Sequence, residues 1–233
     1  MPGNDRTWRQ LTVWLHAVSS IGWMALALSL VALLVHAVTH PQDAAAATAM
    51  AHVLDADLLA PLANASASTG IVLSLGTAWG LAQHWWVLTK FAITLVQLYA
   101  GIFLLSDALD QTAATAAPGP ALIGGTIAMA SALGFQAWLS VVKPWPRTRW
   151  AKRRGNGRAT RLPTAPAGLF AVAVIGPLVD IAVGAVVGFP LPVLASASVI
   201  AAVVVRRRAL RARATTGRAH TGDTAAAIGQ TRP

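Results

Sequence analysis

Long apolar segments separated by short polar connections are the dominant pattern of the chain. A helix needs roughly 20 predominantly apolar residues to cross a bilayer. Four segments reach that length, and they are 11–38, 58–82, 86–105 and 121–142. The last of them is ended by Lys143-Pro144. The pattern therefore predicts a four-helix transmembrane domain over residues 1–150.

The C-terminal third predicts a helical hairpin over 167–205. Its first segment, 167–188, is long enough to span but contains Pro177 and Asp180. Its second, 191–205, would form only about 22 Å of helix, which is short of a hydrocarbon core of about 30 Å. A transmembrane pair and a re-entrant or interfacial hairpin both remain open. The expected fold is an all-α polytopic bundle with six transmembrane helices.

Composition supports a lipid environment and argues against enzyme chemistry. Apolar residues make up 55% of the 233 positions and charged residues 11%, against about 25% charged residues in an average soluble domain. The sequence has no glutamate and no cysteine, so thiolate metal sites and a cysteine nucleophile are excluded. No phosphate loop, zinc-protease motif or nucleophile elbow is present. We therefore expect a non-enzymatic membrane protein.

The charged residues predict the orientation of the helices. Basic residues collect in the N-terminal segment, in the connection 143–166 and in the tail 206–233. The connections 39–57 and 106–120 have no lysine or arginine and hold five of the eight aspartates. Because basic residues favour the cytoplasmic side, we expect a cell-membrane protein with both termini in the cytoplasm. The tail is predicted to be disordered.

The basic segments also predict a partner. Near an anionic bilayer surface each basic residue contributes about 1 kcal/mol of attraction, so lipid head groups are the expected partner and nucleic acid is disfavoured. A protein partner is the alternative. The residues assigned to this contact are Lys143, Arg147, Arg149, Lys152, Arg153, Arg154, Arg206, Arg207 and Arg208.

One lysine departs from this distribution. Lys90 lies about 6–8 Å deeper along its helix than the neighbouring Trp86. A lysine stem can extend to the head groups from that depth. Alternatively, Lys90, Thr94 and Gln97 share one helical face at i, i+4 and i+7 and line a polar cavity within the bundle.

The first helix carries a similar polar pair, His16 and Ser20. His16 lies at about the depth of Lys90, measured from the same side. The two side chains are candidates for a site that binds an anion or a proton. In the alternative interpretation, His16 is a neutral histidine that hydrogen-bonds to a serine or a backbone carbonyl of a neighbouring helix.

Asp180 lies near the centre of the fifth apolar segment, where a charged aspartate costs about 2.5–3.5 kcal/mol. Gly176 and Gly184 share its face, and this small-residue spacing lets a second helix approach closely. A protonated Asp180 packed between helices is therefore one interpretation. A proton relay or ion-binding carboxylate is another. The third is a pair with a basic residue of another membrane subunit, in a homo-oligomer or with a different chain.

Histidines supply the candidate metal ligands. His36 and His40 are one turn apart and Asp43 follows, which are ligand types for a divalent ion. Solvated loop residues are the competing interpretation.

Three stretches carry a resemblance to a known group. They are "WLHAVSSIGWMALALSLVAL" (14–33), "ASTGIVLSLGTAWGLAQHWWVLTKFAITL" (67–95) and "KPWPRT" (143–148). They resemble a group of uncharacterised integral membrane proteins of actinobacteria, over about the first 150 residues. The chain has Pro146 where that group usually has glycine. The group is distantly similar to the membrane domain of copper-resistance D proteins, which implies a metal or haem association at His16.

Three functions follow from these patterns. The first is transport of a small solute or ion along the polar face of Lys90, Thr94 and Gln97, together with Asp180. The second, which follows from the resemblance, is a haem- or copper-associated membrane protein that uses His16 with His84 or another histidine as ligands. The third is a non-catalytic scaffold that binds anionic lipid or a protein through its basic segments. The polar residues inside the apolar segments favour the first.

Overall fold

The part of the chain that the structure describes is almost entirely helical. The computed structural model describes residues 2–77, 80–145, 148, 164–189 and 191–229, with side chains from 5 to 212. Its helices are α1 (Pro2–Thr39), α2 (Ala44–Leu54), α3 (Ala60–Gly76), α4 (Trp85–Ala100), α5 (Ser106–Thr115), α6 (Pro120–Val142), α7 (Ala167–Val187) and α8 (Val193–Gly229). No strand occurs in these ranges. The predicted all-α fold is confirmed.

Two pairs of consecutive helices join into continuous rods, and both rods are longer than the helices that the sequence predicted. The π-helical turn Asp55–Leu59 joins α2 to α3 without a break, and Gly101–Leu105 joins α4 to α5 in the same way. The segments 39–57 and 106–120, predicted as connections, are therefore mostly helical. The alanine-rich run in α2 explains the first difference, because alanine has the highest helix propensity.

Five helical rods are long and apolar enough to cross a membrane, by length and composition, within the residues that the structure describes. They are Asp5–Thr39, Pro41–Gly76, Trp85–Thr115, Pro120–Val142 and Ala167–Val187. Large apolar side chains cover their outer surfaces, and Val141 and Val186 are 82% and 87% exposed. Such a surface fits a lipid solvent.

α1 is the central helix and contacts α2, α3, α6 and α7. Trp23, midway along it, is 2% exposed and packs in a cluster with Ala63 of α3 and with Met129 and Leu133 of α6. The α4–α5 rod lies at the periphery, where it contacts α2, α3 and α6. Its apolar stretch is 11% buried, against 28–39% for the other four.

The bundle has two chemically different ends. We call the end with Arg6, Gly76 and Ala165 the basic end, where the Ala165 amide donates to the Gly76 carbonyl at 2.8 Å. The opposite, acidic end carries five aspartates. There Ser106 donates to Asp55 at 3.0 Å, and His52 Nε2 lies 3.0 Å from Asp110. These two contacts tie the α2–α3 rod to the α4–α5 rod.

The hairpin of α7 and α8 depends on Asp180. The backbone amides of Leu194 and Ala195 donate to its two carboxylate oxygens, at 3.0 and 2.7 Å. The carboxylate thus caps the N-terminus of α8 from another helix, where a negative charge also meets the positive end of the helix dipole.

α8 therefore begins part-way along α7 and returns to the basic end. From Val193 to Val205 it offers only about 20 Å of apolar helix. Ala202 then packs against Leu169 and Phe170, near the start of α7. α7 is long and apolar enough to cross a membrane, and only the apolar part of α8 is too short, so neither alternative describes both arms of the hairpin.

The secondary structure of the C-terminal tail, from residue 206 onward, also differs from its prediction. The sequence predicted disorder from residue 206, and the structure instead continues α8 as helix to Gly229. Alanine and arginine are both strong helix formers and make up most of residues 206–214.

Removing the carboxylate should weaken the hairpin. We expect Asp180→Ala to lower the free energy of unfolding by about 1 kcal/mol, as for other lost N-caps. Asp180→Asn, which keeps one acceptor, should fall between the wild type and Asp180→Ala. Thermal unfolding in detergent measures the order. Val183→Ala, at an exposed position of the same helix, is the control, and an Asp180→Ala variant as stable as that control would contradict the assignment.

Candidate functional site

Five polar side chains form a continuous line between α4 and α6, which we call the polar seam. Its members are Lys90, Thr94 and Gln97 of α4 and Gln136 and Ser140 of α6. The Lys90 ammonium donates to Ser140 Oγ at 2.6 Å, and Thr94 Oγ1 donates to Gln136 Oε1 at 3.0 Å. Gln136 Nε2 donates to Gln97 Oε1. The structure thus places the predicted polar face of α4 against another helix.

The deep end of the seam is closed by direct contact. Gln97 and Gln136 are 4% and 7% exposed, and Gln97 Nε2 also donates to the backbone oxygen of Met129 at 3.1 Å. Buried amides are costly unless they are hydrogen-bonded, and here each one bonds the other. Passage of a solute along the seam would require these two side chains to separate.

His16 occupies a defined place between α1 and α3. Its Nδ1 lies 3.0 Å from the backbone oxygen of Ser66 and 3.3 Å from Thr69 Oγ1. A carbonyl only accepts, so Nδ1 carries the proton and the neutral ring has its lone pair on Nε2. Ser20, the other predicted member, bonds the Ser66 hydroxyl at 2.7 Å. The hydrogen bond from His16 to the Ser66 carbonyl is the interhelical contact that the sequence analysis gave as the alternative for His16.

The His16 ring lies against a glycine. A Cβ on Gly70 would come within 2.9 Å of His16 Cε1, which is closer than carbon atoms pack. Lys90 instead bonds Ser140 of α6, whereas His16 bonds Ser66 of α3. The two polar groups predicted at one depth therefore belong to different pairs of helices.

An elongated cavity of about 630 Å³ runs along the bundle beside the seam, between the α4–α5 rod and α6. We call it the lateral groove. Small residues form half of its lining, and they are Ala92, Ala100, Ala108, Ala121, Gly125, Ala128 and Ala132. Among the described residues that line it, Gln97 has the one polar side chain. The groove and the polar seam therefore meet at Gln97.

A buried donor lies close to this meeting point. The indole nitrogen of Trp23 has no hydrogen-bond partner among the described residues. Trp23 packs with Met129 and Leu105, which also line the lateral groove. Buried hydrogen-bond donors without an acceptor are rare in folded proteins. The indole N–H of Trp23 is such a donor, and it lies at the centre of the bundle.

Asp180 has a structural partner rather than an open site. Both of its oxygens accept backbone hydrogen bonds from the start of α8, so the side chain is bonded to the hairpin's own backbone. A cavity of about 20 Å³ adjoins it and is also lined by Asn64 and Pro177. The polar seam lies on other helices.

The candidate metal ligands are dispersed. His36 and His40 stack with ring centroids 4.3 Å apart, and His36 Nε2 is 3.4 Å from Asp43. His84 precedes α4 and packs at 6.3 Å from the Trp86 ring. In the described parts of the chain, no three His, Cys, Asp or Glu side chains are grouped so that they could hold a metal ion.

Four of the nine predicted lipid-facing cations lie in the part of the chain that the structure describes. Lys143 ends α6 in a left-handed conformation, Arg206 follows the apolar part of α8, and Arg207 and Arg208 are exposed. The other predicted contacts lie outside the described residues, and they are Arg147, Arg149, Lys152, Arg153 and Arg154.

The sequence analysis missed the α6 side of the seam. Gln136 and Ser140 are four residues apart, so they share a helical face, and this spacing could have been recognised. It missed the Asp55–Ser106 contact for a different reason, because no local pattern reveals that the two rods are neighbours at the acidic end.

Comparison of the chain with protein-family models, with curated protein sequences and with solved structures gives no match. The resemblance to the actinobacterial membrane proteins therefore stays a prediction. The site must be interpreted from its own geometry.

The position of His16 can be tested with two glycine substitutions. Gly70→Ala should force the His16 ring away from Ser66 and destabilise the protein by about 1–3 kcal/mol, as overpacking does. Gly134→Ala, where an added Cβ meets nothing within 4 Å, should be neutral or stabilising by up to about 1 kcal/mol. Thermal unfolding measures both. Equal effects of the two substitutions would show that His16 does not depend on Gly70.

The amide pair predicts an energetic coupling. In a double-mutant cycle of Gln97→Leu and Gln136→Leu, we expect a coupling free energy of about 0.6–1.7 kcal/mol, the range for hydrogen bonds between membrane helices. Chemical unfolding of the four proteins gives this value. Gln97→Leu should instead be additive with Ser29→Ala, since Ser29 is exposed and bonds its own helix. A coupling of zero between the two glutamines would contradict the contact.

Proposed function

We propose that the chain is an integral membrane protein that moves a small solute or ion across the bilayer between α4 and α6. The observation that carries this proposal is the meeting of the lateral groove and the polar seam at Gln97. The groove follows α4 from Ala92 past Gln97 and continues to Ala108, and the seam runs from Gln97 to Lys90 and Ser140. The Gln97–Gln136 contact closes the path in this conformation.

The polar content of the seam supports this function over simple packing. Polar and ionisable side chains within membrane spans are costly and usually mark a solute or ion pathway. Lys90 lies about 10 Å of helix rise from Gln97 and is bonded to a neutral serine. A transported species would meet this cation before it reaches the basic end.

The proposed orientation places the basic end at the cytoplasmic face. Arg6 and Arg9 at the N-terminus of α1 and the first arginines after Val205 lie at this end, which follows the tendency of basic residues to remain inside. Because α8 returns to the basic end, both termini are cytoplasmic whether five or six helices cross.

Cysteine labelling provides the test, since the chain has no cysteine of its own. Single cysteines at Lys90, Thr94 and Gln97 are treated in proteoliposomes with a membrane-impermeant thiol reagent, added to either side. We expect labelling at two or more of these positions, with position 97 reached from the acidic side and position 90 from the basic side. Leu133→Cys, buried on α6, is the control that should stay unlabelled.

Protection of all three positions from both sides would overturn the pathway and leave the seam as a packing interface. Labelling that also reaches position 133 would instead indicate loss of the fold. Gel filtration and the helical circular dichroism of each variant separate this outcome from a real aqueous path.

A further inference from the structure

The two helices that form the polar seam carry charge of one sign. Lys90 is the one side chain of α4 and α6 that is charged at neutral pH, and neither helix contains a carboxylate. The ion pairs found in the described residues both lie at the acidic end, and neither includes Lys90. An ammonium has three N–H donors, and the bond to the neutral hydroxyl of Ser140 uses one of them. The seam therefore carries a positive charge that no carboxylate in the described residues offsets.

The unpaired indole N–H of Trp23 belongs to the same interface. Met129, Leu133 and Gln136 follow each other at intervals of four and three residues, so they share one face of α6. Trp23 packs in one cluster with the first two, and Gln97 donates to the Met129 carbonyl. Trp23 therefore lies at the depth of the Gln97–Gln136 contact, beside the place where this contact closes the proposed path.

The groups available at this depth suit an anion better than a cation. An ion in a narrow pore exchanges its water for protein groups, and a cation requires oxygen ligands. Both amide oxygens already accept a hydrogen bond, that of Gln97 from Gln136 and that of Gln136 from Thr94. The indole N–H of Trp23 is a donor without an acceptor among the described residues. Lys90 adds a positive charge, which attracts an anion and repels a cation.

We propose that the path between α4 and α6 carries a small monovalent anion, which is bound by the indole N–H of Trp23 and by the ammonium of Lys90. This inference rests on the proposed function, names its substrate class and adds Trp23 to the residues of the path. An anion that separates the amides of Gln97 and Gln136 would accept a hydrogen bond from Trp23 at that depth. It would then meet Lys90, about 10 Å of helix rise closer to the basic end.

The exchange of radioactive chloride and of radioactive rubidium across proteoliposomes tests the proposal. The vesicles are loaded with unlabelled rubidium chloride, so that the exchange of either ion needs no membrane potential. We expect the wild type to exchange chloride about tenfold faster than rubidium, because the one fixed charge of the seam attracts the first and repels the second. Protein-free vesicles give the background.

Substitutions of the cation test its part in this selectivity. Lys90→Gln should slow chloride exchange about tenfold and abolish the preference for chloride over rubidium. Lys90→Arg, which keeps the positive charge, should retain the preference. Arg207→Gln removes one positive charge at an exposed position of α8 and is the matched control, with both rates expected to equal those of the wild type.

Substitution of the indole tests the second binding group. Trp23→Phe keeps an aromatic ring in the cluster and removes the N–H, so we expect chloride exchange to fall several-fold. Trp14→Phe, at a position of the same helix that is 59% exposed, should exchange chloride as the wild type does. Thermal unfolding of each variant separates loss of the donor from loss of the fold, and the Lys90 variants test the proposal even where Trp23→Phe does not fold.

Chloride exchange at the wild-type rate in Lys90→Gln or in folded Trp23→Phe would overturn the proposal, as would faster exchange of rubidium than of chloride in the wild type. Its failure is distinguishable from failure of the path. Cysteine labelling at positions 90, 94 and 97 in a protein that exchanges no chloride would keep the path and remove the anion. Protection of all three positions together with no exchange of either ion would remove the path itself.

Discussion

The interior of a bilayer offers no solvent for hydrogen bonding, so polar groups on the long helices must be satisfied by other parts of the chain. The arrangement of this bundle follows from that constraint. The amides of Gln97 and Gln136 bond each other and fix α4 against α6. His16 fixes α1 against α3 through the Ser66 carbonyl, and Asp180 fixes the start of α8. These three polar contacts thus fix the depth at which the paired helices lie against each other.

The same constraint explains why the α4–α6 interface differs along its length. In the basic half, the polar seam holds the two helices in register through direct side-chain bonds. In the acidic half no comparable bonds to α6 appear in the described residues, and the contact is apolar, with Leu105 packed over Gly125. The π-helical turn Gly101–Leu105 adds to this change, since such turns interrupt regular helix geometry and are frequent at functional sites. A closed polar section and an open apolar section result from one pair of helices.

Much of this architecture could be predicted from the sequence, because segment length and composition alone identify membrane helices. The polar face of Lys90, Thr94 and Gln97 was also readable, since the helical period places the three residues on one side. Its partner Gln136 was not predicted, because which helices become neighbours is decided by packing over the whole bundle. The role of Asp180 was inaccessible for a related reason. Its partners are backbone amides, and these have no sequence signature.

The mid-depth start of α8 has a consequence for how the protein is made. A nascent chain that ends before Leu194 would present the Asp180 carboxylate to lipid without its two amide donors, at a cost of several kcal/mol for a bare charge. The short apolar part of α8 is equally unsuited to enter the bilayer alone. Because the amides that satisfy Asp180 belong to Leu194 and Ala195, α7 and α8 gain their stability in lipid as one unit.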